Sequence, residues 1–87
     1  MLVNICDEEL LGETLKEDNM EMHISKEYFG GEPVDEDKAL YLVRSCTMAN
    51  LAGERIVSKV LEAKLASELA VKRVGQVSLL MIYKFQG

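Results

Sequence analysis

Thr47-Met-Ala-Asn-Leu-Ala-Gly-Glu-Arg-Ile-Val-Ser-Lys-Val-Leu-Glu-Ala-Lys-Leu65 is the stretch on which the fold turns. Ala49, Ala52, Gly53, Ile56, Val57, Val60 and Leu61 recur at three- and four-residue spacings, the apolar stripe of a helix. Asn50, Glu54, Arg55, Ser58, Lys59 and Glu62 take the other side. The period therefore predicts a helix with a glycine in its interior, where glycine costs roughly 1 kcal/mol against alanine. Small residues on a helix face mark the crossing point of another backbone. Gly53 thus reads first as a packing residue, and second as an opening for a ligand beside Asn50, Glu54 and Arg55.

Upstream, Asp35 is a strong N-cap, with Val34 placed to staple against Ala39. A helix should run from Glu36 to about Cys46, burying Ala39, Leu42, Val43 and Cys46. Residues 45–50 are poor helix formers, so two helices, the second capped by Thr47, are favoured over one long bent helix. Downstream, Ala66-Ser-Glu68 is a link and Leu69–Val74 is a short strand or an irregular turn. Gly75-Gln76 is a break, and Val77 to Phe85 is apolar at nearly every position, as in a central strand covered on both faces.

The first third of the chain is patterned differently. Leu2–Cys6 reads as a short strand, and Asp7 suits the cap of a turn that begins Glu8-Glu9 and ends at Gly12. Lys16–Asn19 is a polar turn. Met20, Met22 and Ile24 alternate with Glu21, His23 and Ser25, the period-two mark of a half-buried strand that turns His23 to solvent. Ser25 can cap one helical turn, Lys26–Phe29, which Gly30-Gly31 stops. Together these elements predict an α+β fold: a small, mainly antiparallel sheet with two helices packed on one face. At 87 residues, positions 1–87 form a single domain with an adequate but not generous core.

A hydrophobic share of 48% and a charged share of 29% are those of an ordinary soluble globular protein. No apolar run approaches the ~18 residues of a membrane span, so no membrane partner is expected. The N-terminus has no basic leader or small-residue cleavage site, and a cytoplasmic location follows as the default. Cys6 and Cys46 lack neighbouring ligands at metal spacing, and a reducing cytosol disfavours a disulfide between them. A catalytic thiol would need a base, and His23 is the one histidine. Asp7-Glu8-Glu9 and Asp35-Glu36-Asp37 are dense in carboxylate but lack calcium-loop spacing. Neither a metal nor a cofactor is expected.

Charge is distributed unevenly. Residues 1–37 hold twelve acids and two bases, while residues 38–87 hold eight bases and three acids, within a net charge of −5. Acids gathering at helix starts account for Asp35, Glu36 and Asp37 but not for the whole imbalance. If the halves face different ways, the molecule is an electrical dipole.

Three separated stretches occur in order: Ile5-Cys-Asp-Glu-Glu-Leu-Leu-Gly12, Tyr28-Phe-Gly-Gly-Glu32 and Ala49-Asn-Leu-Ala-Gly-Glu-Arg-Ile-Val57. With them the chain resembles the small archaeal family called domain of unknown function 424, from about residue 3 to the last strand. The resemblance implies an archaeal, cytoplasmic, single-domain protein of a family without an assigned activity. Family members begin with an extra strand before the Ile-Cys-Asp-Glu-Glu-Leu segment, whereas Met1 falls almost directly in front of it here. That would leave Leu2–Cys6 or its neighbour as an open sheet edge, an invitation to dimerise.

Enzyme motifs are mostly absent: there is no phosphate-cradling glycine loop, no nucleophile elbow and no zinc spacing. The best catalytic or ligand-binding set is Asn50, Glu54 and Arg55, with the first two four residues apart on the expected helix. A hydrogen-bond network between elements explains them better than chemistry does. Arg55, Lys59, Lys64, Lys72, Arg73 and Lys84 could gather into a basic surface able to hold phosphates. The pI near 4.8 and the lack of an aromatic stacking platform weigh against RNA. The acidic half could equally meet a basic protein, including a ribosomal protein or translation factor. The sequence thus favours a non-catalytic interaction module with a protein or RNA partner. Asn50, Glu54, Arg55, Lys59, Lys72 and Arg73 are its candidate binding residues, with a small enzyme or an oligomer subunit as alternatives.

Overall fold

The strand that organises the molecule is Met48-Ala-Asn-Leu-Ala52, inside the stretch expected to be helical. In the computed structural model, which describes residues 1–84, the chain runs β1 (Leu2–Cys6), β2 (Thr14–Glu17), β3 (Met20–His23), α1 (Lys26–Phe29), α2 (Glu36–Ser45), β4 (Met48–Ala52), α3 (Glu54–Glu62), β5 (Lys72–Val74) and β6 (Val77–Tyr83). Short 3-10 turns cover Glu8–Leu10 and Glu68–Ala70. The fold is α+β.

Its main sheet has the order β1-β4-β6-β5, and β2-β3 is a separate antiparallel hairpin. Pairing of β4 with β6 and of β5 with β6 is antiparallel, whereas β1 and β4 run parallel, Leu2 against Met48 through Cys6 against Ala52. The sheet is therefore mixed rather than purely antiparallel. A parallel pair needs a long crossover connection, and residues 7–47 supply it.

Between residues 36 and 65 the chain is thus helix, strand, helix, neither the two adjacent helices nor the one bent helix the period suggested. Ala49 and Leu51 satisfy both periods: they lie on a helical stripe and, two apart, on one face of a strand. Neighbouring strands on both sides decide the matter, because they satisfy the backbone groups of residues 48–52.

Ala49, Leu51, Leu80 and Ile82 turn to one face of the sheet, where they meet Ala39, Val43 and Cys46 of the α2 segment and Ile56, Val57 and Val60 of α3. Both long helices share that face, as expected. The opposite face is covered at one end by the β2-β3 hairpin, with Leu15 and Ile24 packed against Ala52 and Val74. At its other end Leu2, Met81 and Tyr83 are exposed. The last strand is central, but it is covered on both faces over only part of its length; Phe85, its expected last residue, lies outside the described residues.

Local signals behave as their chemistry requires. Asp35 caps α2 through Lys38 N–H at 2.8 Å, and Ser25 caps α1 through Glu27 N–H at 3.1 Å. Lys84 closes the other end of α2 by donating to the Val43 and Arg44 carbonyls, each at 2.6 Å. Both cysteines are free thiols. The polar turn at 16–19 is tighter than expected: Thr14–Glu17 is itself a strand, and Asp18 takes a positive φ of 50° at the bend.

Candidate functional site

Because β1 and β4 run parallel in register, their C-terminal ends stop side by side, and Asp7 lands next to Gly53. Gly53 is the N-cap of α3, not an interior residue, with φ 119° and ψ 150°, a conformation open essentially to glycine alone. It turns the chain from strand into helix. A side chain there would collide with the Asp7 carboxyl group.

Asp7 does not cap the turn that follows it; its side chain makes no bond there. Instead its carboxylate oxygens accept from two free N–H groups in the first turn of α3, Arg55 N–H at 2.9 Å and Ile56 N–H at 3.0 Å. Asp7 is only 8% exposed. A carboxylate from 46 residues before Gly53 thus fills the positive end of the helix, the place where a phosphate would otherwise bind.

Arg55 extends this arrangement outwards. Its Nε lies 3.9 Å from Asp7 Oδ2, and its guanidinium pairs with Glu9. One turn along, Lys59 lies 3.7 Å from Glu36 and 3.6 Å from Glu62, linking α3 to the start of α2.

These residues border a cleft of about 360 Å³. One wall is the outer flank of β1, Val3 to Asp7. The opposite wall is the segment from Gly30 to Asp35, and Ala39, Leu42 and Ile56 give the interior its apolar surface. Asp7, Glu8, Glu32, Asp35 and Glu36 line it together with Arg55 and Lys59, an excess of three negative charges. All three motif stretches that suggested the family border this cleft: Ile5–Glu8 and Leu11, Phe29–Glu32, and Arg55 with Ile56.

Among the described residues β1 is the outermost strand, so the expected open edge is present there. Asp7 N–H points inwards to the Ala52 carbonyl at 2.9 Å. By the alternation of a strand, Asn4 and Cys6 turn their own N–H and C=O groups outwards, along the cleft. The Cys6 thiol on this wall has its pKa pushed up by burial first, then by the charges of Asp7 and Glu9. It stays protonated and is a poor nucleophile near neutral pH.

The six residues singled out from the sequence do not form one site. Asn50 lies on β4, on the sheet face away from the helices, and donates to Asn4 Oδ1 at 2.9 Å. It cannot share a helix face with Glu54, because residue 50 is not helical. Glu54 accepts from Ser78 Oγ at 2.7 Å and pairs with Arg73 at 3.1 Å, while Arg73 also donates to Ser78 Oγ at 3.0 Å. That network ties α3 to the β5-β6 hairpin. Lys72 lies exposed on β5, and only Arg55 and Lys59 reach the cleft. His23 is on the β2-β3 hairpin, exposed and paired with Thr14 Oγ1 at 3.0 Å. Among the described residues, no three of His, Cys, Asp or Glu come together as a metal site, and no helix is long and apolar enough to cross a membrane.

The family model of the protein of unknown function DUF424 matches residues 1–85. The chain belongs to this family. The DUF424 chain is also similar to the crystal structure of an uncharacterized conserved protein from Methanopyrus kandleri, with TM-score 0.76 and 28% identity over 94% of this chain and 81% of that one. None of the curated proteins matches. Neither the role of Asp7 as a distant helix cap nor the cleft itself is among the expectations from the sequence. The available signal was the order of the motifs, an acid at the end of one strand and a glycine at the end of its neighbour.

Proposed function

We propose that this DUF424 protein acts as a cytoplasmic binding module, not as a catalyst, and that its partner is a protein seated in the cleft along β1. One observation carries the reading: the three motif stretches, far apart in sequence, meet around one cleft beside a strand edge that is unpaired among the described residues. Enzymatic use of Glu54 fits poorly with its position, since its side chain is 55% exposed and committed to Arg73. An RNA partner fits poorly too. Arg55, Lys59 and Arg73 are each paired with a carboxylate, Lys84 is bound to carbonyls, and the cleft has an acidic excess.

The test is co-purification from the protein's own cells, using the tagged wild type and a Glu8→Lys/Glu32→Lys variant, at low and high salt. A protein retained only by the wild type and released by salt supports the reading. RNA removed by nuclease, or a tightly held small molecule, overturns it. The free edge of β1 also favours a second copy of the chain as the occupant. Size-exclusion chromatography with light scattering would then show a dimer that the charge variant abolishes, and monomer at high concentration removes that alternative.

A further inference from the structure

The cleft also constrains the form in which a partner would arrive. We propose that it receives an extended segment rich in Lys or Arg, which adds to the sheet as a fifth strand beside β1. This rests on the protein-binding reading and names the chemistry of the partner.

Geometry argues first. The wall of the cleft is the outer flank of an edge strand, where Asn4 and Cys6 present N–H and C=O groups to any chain laid alongside. Such a chain sits about 4.8 Å away and binds through its main chain, so a preformed sheet edge suits an extended peptide rather than a helix. Gly31, which also lines the cleft, is exposed and carries no side chain, and a Cβ there would meet nothing within 4 Å.

Charge argues second. Asp7 and Asp35 are committed to the starts of α3 and α2, and Glu36 is engaged by Lys59. Among the described residues, Glu8 and Glu32 border the cleft without an ion-pair partner. Two unneutralised carboxylates over an apolar interior favour cationic side chains on stems that can lie along Leu42 and Ile56. A third observation removes the competing occupant, since the Asp7 carboxylate already fills the helix terminus that would attract a phosphate or an acidic peptide.

The experiment titrates the 15N-labelled full chain with short synthetic peptides while the backbone amides are followed by NMR. A peptide of alternating Lys and Val should bind, shift the amides of residues 3–8 and slow the hydrogen exchange of Asn4 and Cys6. The matching Glu-Val peptide should not bind. Two Lys-Val peptides N-methylated at every second residue, in opposite phases, distinguish strand addition from charge attraction. One phase should bind like the parent and the other should lose about tenfold or more, because only one set of N–H groups faces β1. Equal binding by both phases, or equal binding by the Glu-Val peptide, overturns the inference. So does an absence of Lys-Val binding, or displacement of the same amides by a short uridine oligonucleotide. If none of these peptides binds while a cleft-dependent protein still co-purifies, the extended basic segment is wrong and the binding module stands. If the peptides behave as expected but no cellular protein depends on the cleft, the binding-module reading fails on its own.

Discussion

Two carboxylate arrangements lie within one turn of α3, and they are built in opposite ways. Asp7 is buried, and its oxygens are held by backbone N–H groups that no other residue satisfies. Glu9 with Arg55, and Glu54 with Arg73, are pairs of side chains more than half exposed. The first joins the end of β1 to the start of α3 and fixes where the helix begins. The second kind decorates that junction in solvent, where screening and side-chain entropy cancel most of the attraction. Glu54, Arg55 and Arg73, three of the residues that stand out in the sequence, belong to the second kind, and the residue that shapes the site belongs to the first.

The largest effect should come from closing the gap into which Asp7 fits. Gly53→Ala forces a Cβ into a backbone conformation that alanine resists and against the Asp7 carboxyl group. A loss of about 3 kcal/mol or more is expected, which is about 10 °C or more in Tm for a domain of this size. Thermal and urea unfolding read it directly. A Tm within about 2 °C of wild type would mean that the strand-to-helix junction is not built as described.

Next in size is a contrast between two caps. Asp7→Ala strands the N–H groups of Arg55 and Ile56 at a buried junction, and about 2–3 kcal/mol should be lost. Asp35→Ala removes a single bond to Lys38 N–H at an exposed helix start, and about 1 kcal/mol is expected. Asp7→Asn, which keeps an acceptor but loses the charge, should fall between them. Equal losses for Asp7→Ala and Asp35→Ala would erase the distinction between a junction and a simple cap.

The two caps also differ in how legible they are. Asp35 declares itself by local sequence, three residues before the N–H it holds, and α2 with its buried Ala39 and Val43 is written in the same few turns. Ser25, Gly30 and the apolar run of β6 are similarly local. β4 is not. Met48-Ala-Asn-Leu-Ala52 has no β-branched or aromatic residue, and its apolar positions fit a helical period as well as an alternating one. It is a strand because β1, 46 residues earlier, and β6 flank it, and nothing within residues 48–52 records that. The role of Asp7 is hidden for the same reason, since its partners lie 48 and 49 residues away. Gly53 was the one local clue. Read as a packing residue inside a helix, it is in fact the boundary, and the apolar spacing on either side of it conceals that.

The smallest effect belongs to the exposed pairs. Arg55→Ala removes a guanidinium held by Glu9 and near Asp7, yet the backbone N–H of residue 55 that Asp7 grips is untouched. A double-mutant cycle on Glu9→Ala and Arg55→Ala should therefore give a coupling of about 0.5 kcal/mol at low salt, because both side chains lie more than half in solvent. Raising the salt to about 1 M shortens the screening length to roughly 3 Å and should remove most of that coupling. The loss on Asp7→Ala should hardly change in the same series, since it comes from buried N–H groups left without an acceptor. A coupling above about 2 kcal/mol that survives salt would place Arg55 inside the buried junction, and the line between the two arrangements would have to be redrawn there.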